Sequence, residues 1–211
     1  MATHGLKRTY MGIVDGTGKL IRKTELGVDG IYRSSKAIED YGTKEANISN
    51  LQGKGTPQYG DDAPQYTLKA VGSYPEVALT FLNMPLAIKN TLLGYVNDGK
   101  GGWNHTDEDI NVALIVETRG LVGGTSIYYA FQNGELIEGN KNIQTDNTQI
   151  TASDDVFTYT SMKPFSKEWD NGMKIFDGSD KNFTMDGMLA EVFGTTPVSG
   201  STTPGSGSTS K

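Results

Sequence analysis

Residues 75–103 read PEVALTFLNMPLAIKNTLLGYVNDGKGGW and lead into NVALIVETRG at 111–120. Val77, Leu79 and Phe81 alternate with Ala78 and Thr80, the period of a strand that buries at least one face. Asn83 is placed to cap a helix, and Pro85 is tolerated in a first helical turn, where its missing donor costs little. Met84, Ile88 and Leu92 then recur at helical spacing with Leu93 beside them, until Gly94 offers a left-handed stop. A helix of about ten residues is marginal alone, so a neighbouring sheet must hold it. The order is strand, helix, glycine turn, strand, with no side chain suited to covalent or proton-transfer chemistry. It reads as scaffold.

Outward from that stretch, turn signals recur along the chain. Asp15-Gly16-Thr17-Gly18 separates Tyr10–Val14 from Lys19–Arg22 as a hairpin turn. Ala46 and Ile48 lie in a strand that breaks at Gly53. From there to Pro64 the chain is dense in Gly, Pro and Asp, a long loop or extended hairpin tip, and residues 65–72 alternate again. Val112, Leu114 and Val116 form one strand face and Ile127, Tyr129 and Phe131 another, joined through Gly120, Gly123 and Gly124. Asn133-Gly134 is a second tight turn before Glu135, Leu136 and Ile137. Ile143–Thr151 and Val156–Met162 read as Thr-rich strands. Thr184 caps a helix with Met185, Met188, Leu189 and Val192 on one face, stopped by Gly194. The fold class is therefore mainly β: an antiparallel β-sandwich or half-barrel with one flanking α-helix and a short C-terminal helix. Residues 1–194 form the β domain. Residues 195–211, nearly all Ser, Thr, Gly and Pro, cannot pack as a core and read either as a linker end or as a segment laid along another subunit.

Composition removes whole classes of function. The chain has 211 residues, 27 of them glycine, which suits strands and turns rather than a helical bundle. It has no cysteine, which excludes disulfides, thiolate metal sites and cysteine nucleophiles. No apolar run approaches the roughly 18 residues needed to span a membrane. MATHGLKRTY lacks the apolar core of a secretory signal, so a cytosolic site of synthesis is expected. Nineteen basic against 25 acidic residues give a net charge of −6, contrary to the basic face of a protein that grips nucleic acid.

Chemical motifs fail one by one. His4 and His105 are the two histidines, too few for a zinc site, and each reads as a solvated residue rather than part of a triad. Gly94–Gly101 has the spacing of a phosphate-binding loop, but Gly101 stands where Ser or Thr must hold magnesium, and the segment follows a helix instead of opening one. The acidic clusters Asp107–Asp109, Asp154-Asp155 and Asp177–Asp180 match no calcium loop and read as solvated turns. Catalytic residues, cofactors and metals are therefore all expected to be none, and the chain is not expected to be an enzyme. Trp103 and Trp169, with nearby Asn and Asp, leave a carbohydrate- or host-surface-binding β-module as the alternative; a hydrolase using acidic residues has the weakest support.

Together, GLKRTYMGIVDGTGKLI, GTKEANISNLQGKGTPQYGDD, the central stretch and FTMDGMLAEVFG resemble, over most of residues 5–194, the major tail protein of long-tailed, non-contractile bacteriophages. The resemblance implies a structural virion protein of the tail, assembled in the host cytoplasm. Its copies would form hexameric rings that stack into a tail tube through which DNA leaves the capsid without specific binding. The partners implied are further copies of itself, a tape measure protein and a tail terminator, with no membrane. It also implies that the loop Gly53, Lys54, Gly55, Thr56, Pro57, Gln58, Tyr59, Gly60, Asp61 and Asp62 reaches the adjacent ring. Tyr59 would pack there while Lys54, Asp61 and Asp62 make rim contacts.

Overall fold

The computed structural model describes residues 2–35, 41–68, 74–106, 108–145, 153–169 and 172–195. In chain order the first strands are β1 (Thr3–Val14), β2 (Tyr32–Arg33), β3 (Thr43–Ser49), β4 (Thr56–Gly60), β5 (Ala63–Leu68) and β6 (Glu76–Phe81), followed by helix α1 (Leu86–Leu92). A small ribbon, β7 (Tyr95–Asn97) and β8 (Trp103–His105), precedes β9 (Asn111–Gly120) and β10 (Ser126–Phe131). The chain ends on β11 (Gly134–Glu138), β12 (Asp155–Ser161), β13 (Lys174–Asp177) and helix α2 (Met185–Phe193). Five strands make one antiparallel sheet in the order β13-β10-β9-β1-β2, and four make a second in the order β11-β12-β6-β3. β4–β5 and β7–β8 are separate two-stranded ribbons.

The two large sheets face one another across the core. Val112, Leu114 and Val116 of β9 meet Val77, Leu79, Phe81, Phe157 and Tyr159 from the second sheet. The alternate residues Ala113 and Ile115 lie on the other side, against Met188, Val192 and Phe193 of α2 and Trp169. Sequence reading assigned β9 one apolar face; the fold buries both, which is what an uninterrupted apolar run in a strand requires. Gly12 on neighbouring β1 makes room for this layer, since a Cβ there would lie 3.0 Å from the Phe193 ring. Across the core, the Tyr159 hydroxyl donates to the Val112 carbonyl at 3.0 Å, giving the one polar atom of a fully buried ring its partner.

Both expected helices form, with one change at a terminus. α1 begins at Leu86 with Pro85 in the cap position and no side-chain cap, so Asn83 does not play that role. The approach to α1 is fixed instead from across the sheet, where the Met84 amide donates to Asp155 Oδ2 at 3.0 Å. Ile88 and Leu92 are buried as their spacing requires, and Gly94 follows with φ of 81°. At α2, Thr184 Oγ1 accepts the Gly187 amide at 3.2 Å, and Gly194 ends the helix in the left-handed region.

Other expectations are corrected. Asp15–Gly18 does turn the chain, but the returning segment pairs with β1 only by a bridge between Val14 and Leu20. Asn133-Gly134 does not close a hairpin, because β10 and β11 belong to different sheets. Gly134 is required at this crossing, where a Cβ would sit 2.3 Å from the Tyr159 ring. Residues 139–145 form no strand, and the rest of the segment expected to be a strand at Ile143–Thr151 lies outside the described residues. Asp155 is not a solvated turn residue: it is 6% exposed and accepts Lys141 Nζ at 2.7 Å. Burial opposes its ionisation, but Lys141 and the Met84 amide outweigh that and hold its pKa below the ordinary value. The C-terminal extension, beyond Thr195, also lies outside the described residues.

β9 carries one inward charge. Glu117 is buried and accepts Lys7 Nζ at 2.7 Å, Ser126 Oγ at 2.7 Å and Tyr10 Oη at 2.9 Å. Burial raises its pKa, yet these three donors lower it further and keep the carboxyl below its ordinary value. Burial and the Glu117 charge together push the Tyr10 phenol well up.

Two outcomes follow for stability. Leu114→Ala should cost about 2–5 kcal/mol in urea unfolding, because a fully enclosed site cannot collapse around the cavity. For Glu117, the depressed folded pKa means a stabilising contribution present above the unfolded value of about 4.3 and lost as pH falls through the folded value. A plot of Tm against pH should therefore have a flatter acid limb in Glu117→Gln than in the parent; limbs of equal steepness would contradict this role.

Candidate assembly surfaces

The groups tested as chemistry are dispersed. His4 pairs with Arg119 in the β1–β9 ladder, whereas the His105 ring stands edge-on to Tyr95 with centroids 5.1 Å apart. The segment Gly94–Gly101 is occupied by β7 and the start of its turn. Asp98 Oδ1 accepts the Lys100 and Gly102 amides at 2.7 and 2.9 Å, and Asn97 Oδ1 accepts that of Gly99 at 2.7 Å. Donors that would cradle a phosphate are thus already engaged by carboxylate and amide oxygens. Among the described residues no group of three or more His, Asp or Glu side chains is arranged to hold a metal ion. Trp169 is core, its indole N–H donating to Glu191 Oε1 at 2.8 Å, which removes it from any glycan-binding surface. Trp103 is half-buried on β8.

Exposure concentrates on the β4–β5 ribbon. β5 is exposed at every residue, and among the described residues β4 and β5 are hydrogen-bonded to each other and to no other strand. The expected loop Gly53–Asp62 is thus half of a hairpin arm, the extended hairpin tip of the two readings the sequence offers, and Asp61 and Asp62 alone make its turn. Both have positive φ, 51° and 60°, a conformation that Asp tolerates and that matches the twist of paired strands. Tyr59 and Tyr66 are 71% and 62% exposed on this arm. Gly55 lets the two strands meet at its base, where a Cβ would lie 2.6 Å from the Thr67 side chain.

The second surface is the outward face of the four-stranded sheet. One cross-strand row holds Ser49, Glu76, Thr160 and Glu135, the next Asn47, Ala78, Thr158 and Ile137. A third row runs Glu45, Thr80 and Val156, with Thr80 between the other two. These outward positions carry three carboxylates and no lysine or arginine; Lys44, at the β3 bulge, is paired with Asp154 at 2.6 Å. The inner face of the same sheet is core, and among the described residues its edges β3 and β11 each pair on one side only. The Thr-rich alternation of β12 was visible in the sequence. Which strands would share a face was not, because strand order depends on long-range pairing.

The family model for phage tail tube proteins matches residues 1–201. No curated protein matches the sequence.

The arm contributes nothing to the core, so replacing Thr56–Leu68 by Asn-Gly should leave the fold intact, with Tm within about 2–4 °C of the parent, the shift of roughly 1 kcal/mol in a chain of this size. A collapse of the melting transition would mean the arm supports the sandwich.

Proposed function

The chain belongs to the phage tail tube protein family, and we propose that it is the non-catalytic building block of the tail tube of a long-tailed, non-contractile phage. Six copies form a ring, rings stack, and DNA leaves the capsid through the channel. The observation that carries the reading is the four-stranded sheet with one core face, one open face and, among the described residues, no strand paired to the outer side of either edge. Joining β3 of one copy to β11 of the next would satisfy both edges, which otherwise invite uncontrolled pairing, and six such joints would close a continuous barrel. Obligate interfaces of this kind bury more than about 2,000 Å².

Closure in this sense turns the open face inward. Glu45, Glu76 and Glu135 then line the channel with no cation among the outward strand positions. Duplex DNA carries about one negative charge per 1.7 Å. Repulsion acting within about 8 Å at physiological salt keeps it from adhering. The arm is the ring-to-ring contact, with Tyr59 packing on the neighbour and Lys54, Asp61 and Asp62 at its rim. A tape measure protein and a tail terminator complete the set of partners. Assembly takes place in the host cytoplasm and the product resides in the virion tail.

The test reverses the lumen charge. Tubes of Glu76→Lys/Glu135→Lys should form, retain short duplex DNA in co-sedimentation at 0.15 M salt (about physiological) and release it at high salt, whereas parent tubes retain none. Variant tubes that leave DNA as free as the parent would remove this face from the channel.

A further inference from the structure

The two ends of β1 lie beside features of opposite charge. At its Thr3 end, Leu6 shares an apolar groove with Ile48 and Leu51, so β3 hands the chain to the β4–β5 arm at this end. At its Val14 end sits the segment 15–26, bridged through Leu20, where Lys23 lines a cleft of about 130 Å³ with Ile13, Val96 and Trp103. Seven residue-to-residue steps along the strand from Leu6 to Ile13 place the two regions roughly 20 Å apart. The arm tip is Asp61-Asp62, exposed and in no ion pair among those of the described residues. Lys19, Arg22 and Lys23 are likewise exposed and in none of them. Three carboxylates stand near these cations, Asp15, Glu25 and Glu108, the last two lining the same cleft as Lys23. Asp15 is taken up within its own turn by Thr17 and the Lys19 amide, and Glu25 accepts the Thr24 hydroxyl at 3.3 Å. Among the described residues none of the three is in an ion pair with Lys19, Arg22 or Lys23, so these cations remain open to a carboxylate from outside.

From this we propose that the acceptor for the arm is the Lys19–Lys23 segment of a second copy of this chain, in the next ring. Asp61 and Asp62 meet Arg22 and Lys23 there, and Tyr59 lies against Val96 and Trp103. The inference rests on the tube reading above and adds the surface that receives the arm. A contact between unlike ends repeats without closing, which is the geometry a stack of rings needs. Val96 is 56% exposed and Trp103 half-buried, so the cleft offers apolar area beside the cations. The charges set register and partner choice, and the tyrosine supplies the buried contact.

A charge cycle tests it, using neutral Asn at the tip because Asn tolerates the positive φ there. Arg22→Glu/Lys23→Glu should still fold and form rings, but median tube length in electron micrographs should fall by roughly fivefold or more, the scale of one lost ion pair. Adding Asp61→Asn/Asp62→Asn to that variant removes the new repulsion and should lengthen the tubes again. Normal tubes from Arg22→Glu/Lys23→Glu, or shortened tubes that the tip change does not lengthen, would overturn the pairing while leaving the tube reading intact. A parent protein that forms neither rings nor tubes would overturn the tube reading and this inference with it.

Discussion

Burial of β9 on both faces is the constraint from which the remaining architecture follows. Each large apolar side chain taken fully from water contributes about 1.5–3 kcal/mol, and β9 places five consecutive buried residues, Val112–Val116, between two layers. To cover both sides the chain must supply a second sheet on one face and α2 with Trp169 on the other. That leaves the five-stranded sheet no free face near its centre. The contact surfaces proposed above are then the outer face of the four-stranded sheet, that sheet's two edges, the arm and the Lys19–Lys23 segment.

These surfaces work on a different energy scale from the core. Exposed ion pairs contribute about 0–1 kcal/mol each, far below the burial that fixes the fold. In the proposed assembly weak charged contacts suffice to set register, because each subunit would repeat them around the ring and along the tube. The same division places Glu117 and Asp155, the two buried carboxylates among the described residues, on the side of stability. Each is held by lysine and backbone or hydroxyl donors inside the subunit and is turned away from every proposed contact.

Much of the fold was legible because it was written in local periodicity. The alternation of Val77, Leu79 and Phe81, the Ile88–Leu92 face and the Thr184 cap all stand where their spacing put them. Misreadings arose where a long-range partner overrode a local signal. Asn83 looks like a cap, but Asp155, 71 residues away from Met84, fixes the entry to α1. Asn133-Gly134 looks like a hairpin turn, but Tyr159 crowds Gly134 at a crossing between sheets. The arm was half legible: glycines and Pro57 marked an unusual segment, while the pairing of Thr56–Gly60 with Ala63–Leu68 needed the alternating half beyond Asp62 to be joined to it. The acidic open face was not legible, since Glu45, Glu76 and Glu135 come together only through the strand order.

The most direct test of the tube account is a cryo-electron-microscopy reconstruction of the polymer formed by the purified chain. The account predicts six subunits per ring, β3 of each paired to β11 of the next, and Glu45, Glu76 and Glu135 facing the channel. A channel lined by α2 or by the five-stranded sheet, or rings in which β3 and β11 remain unpaired, would contradict it.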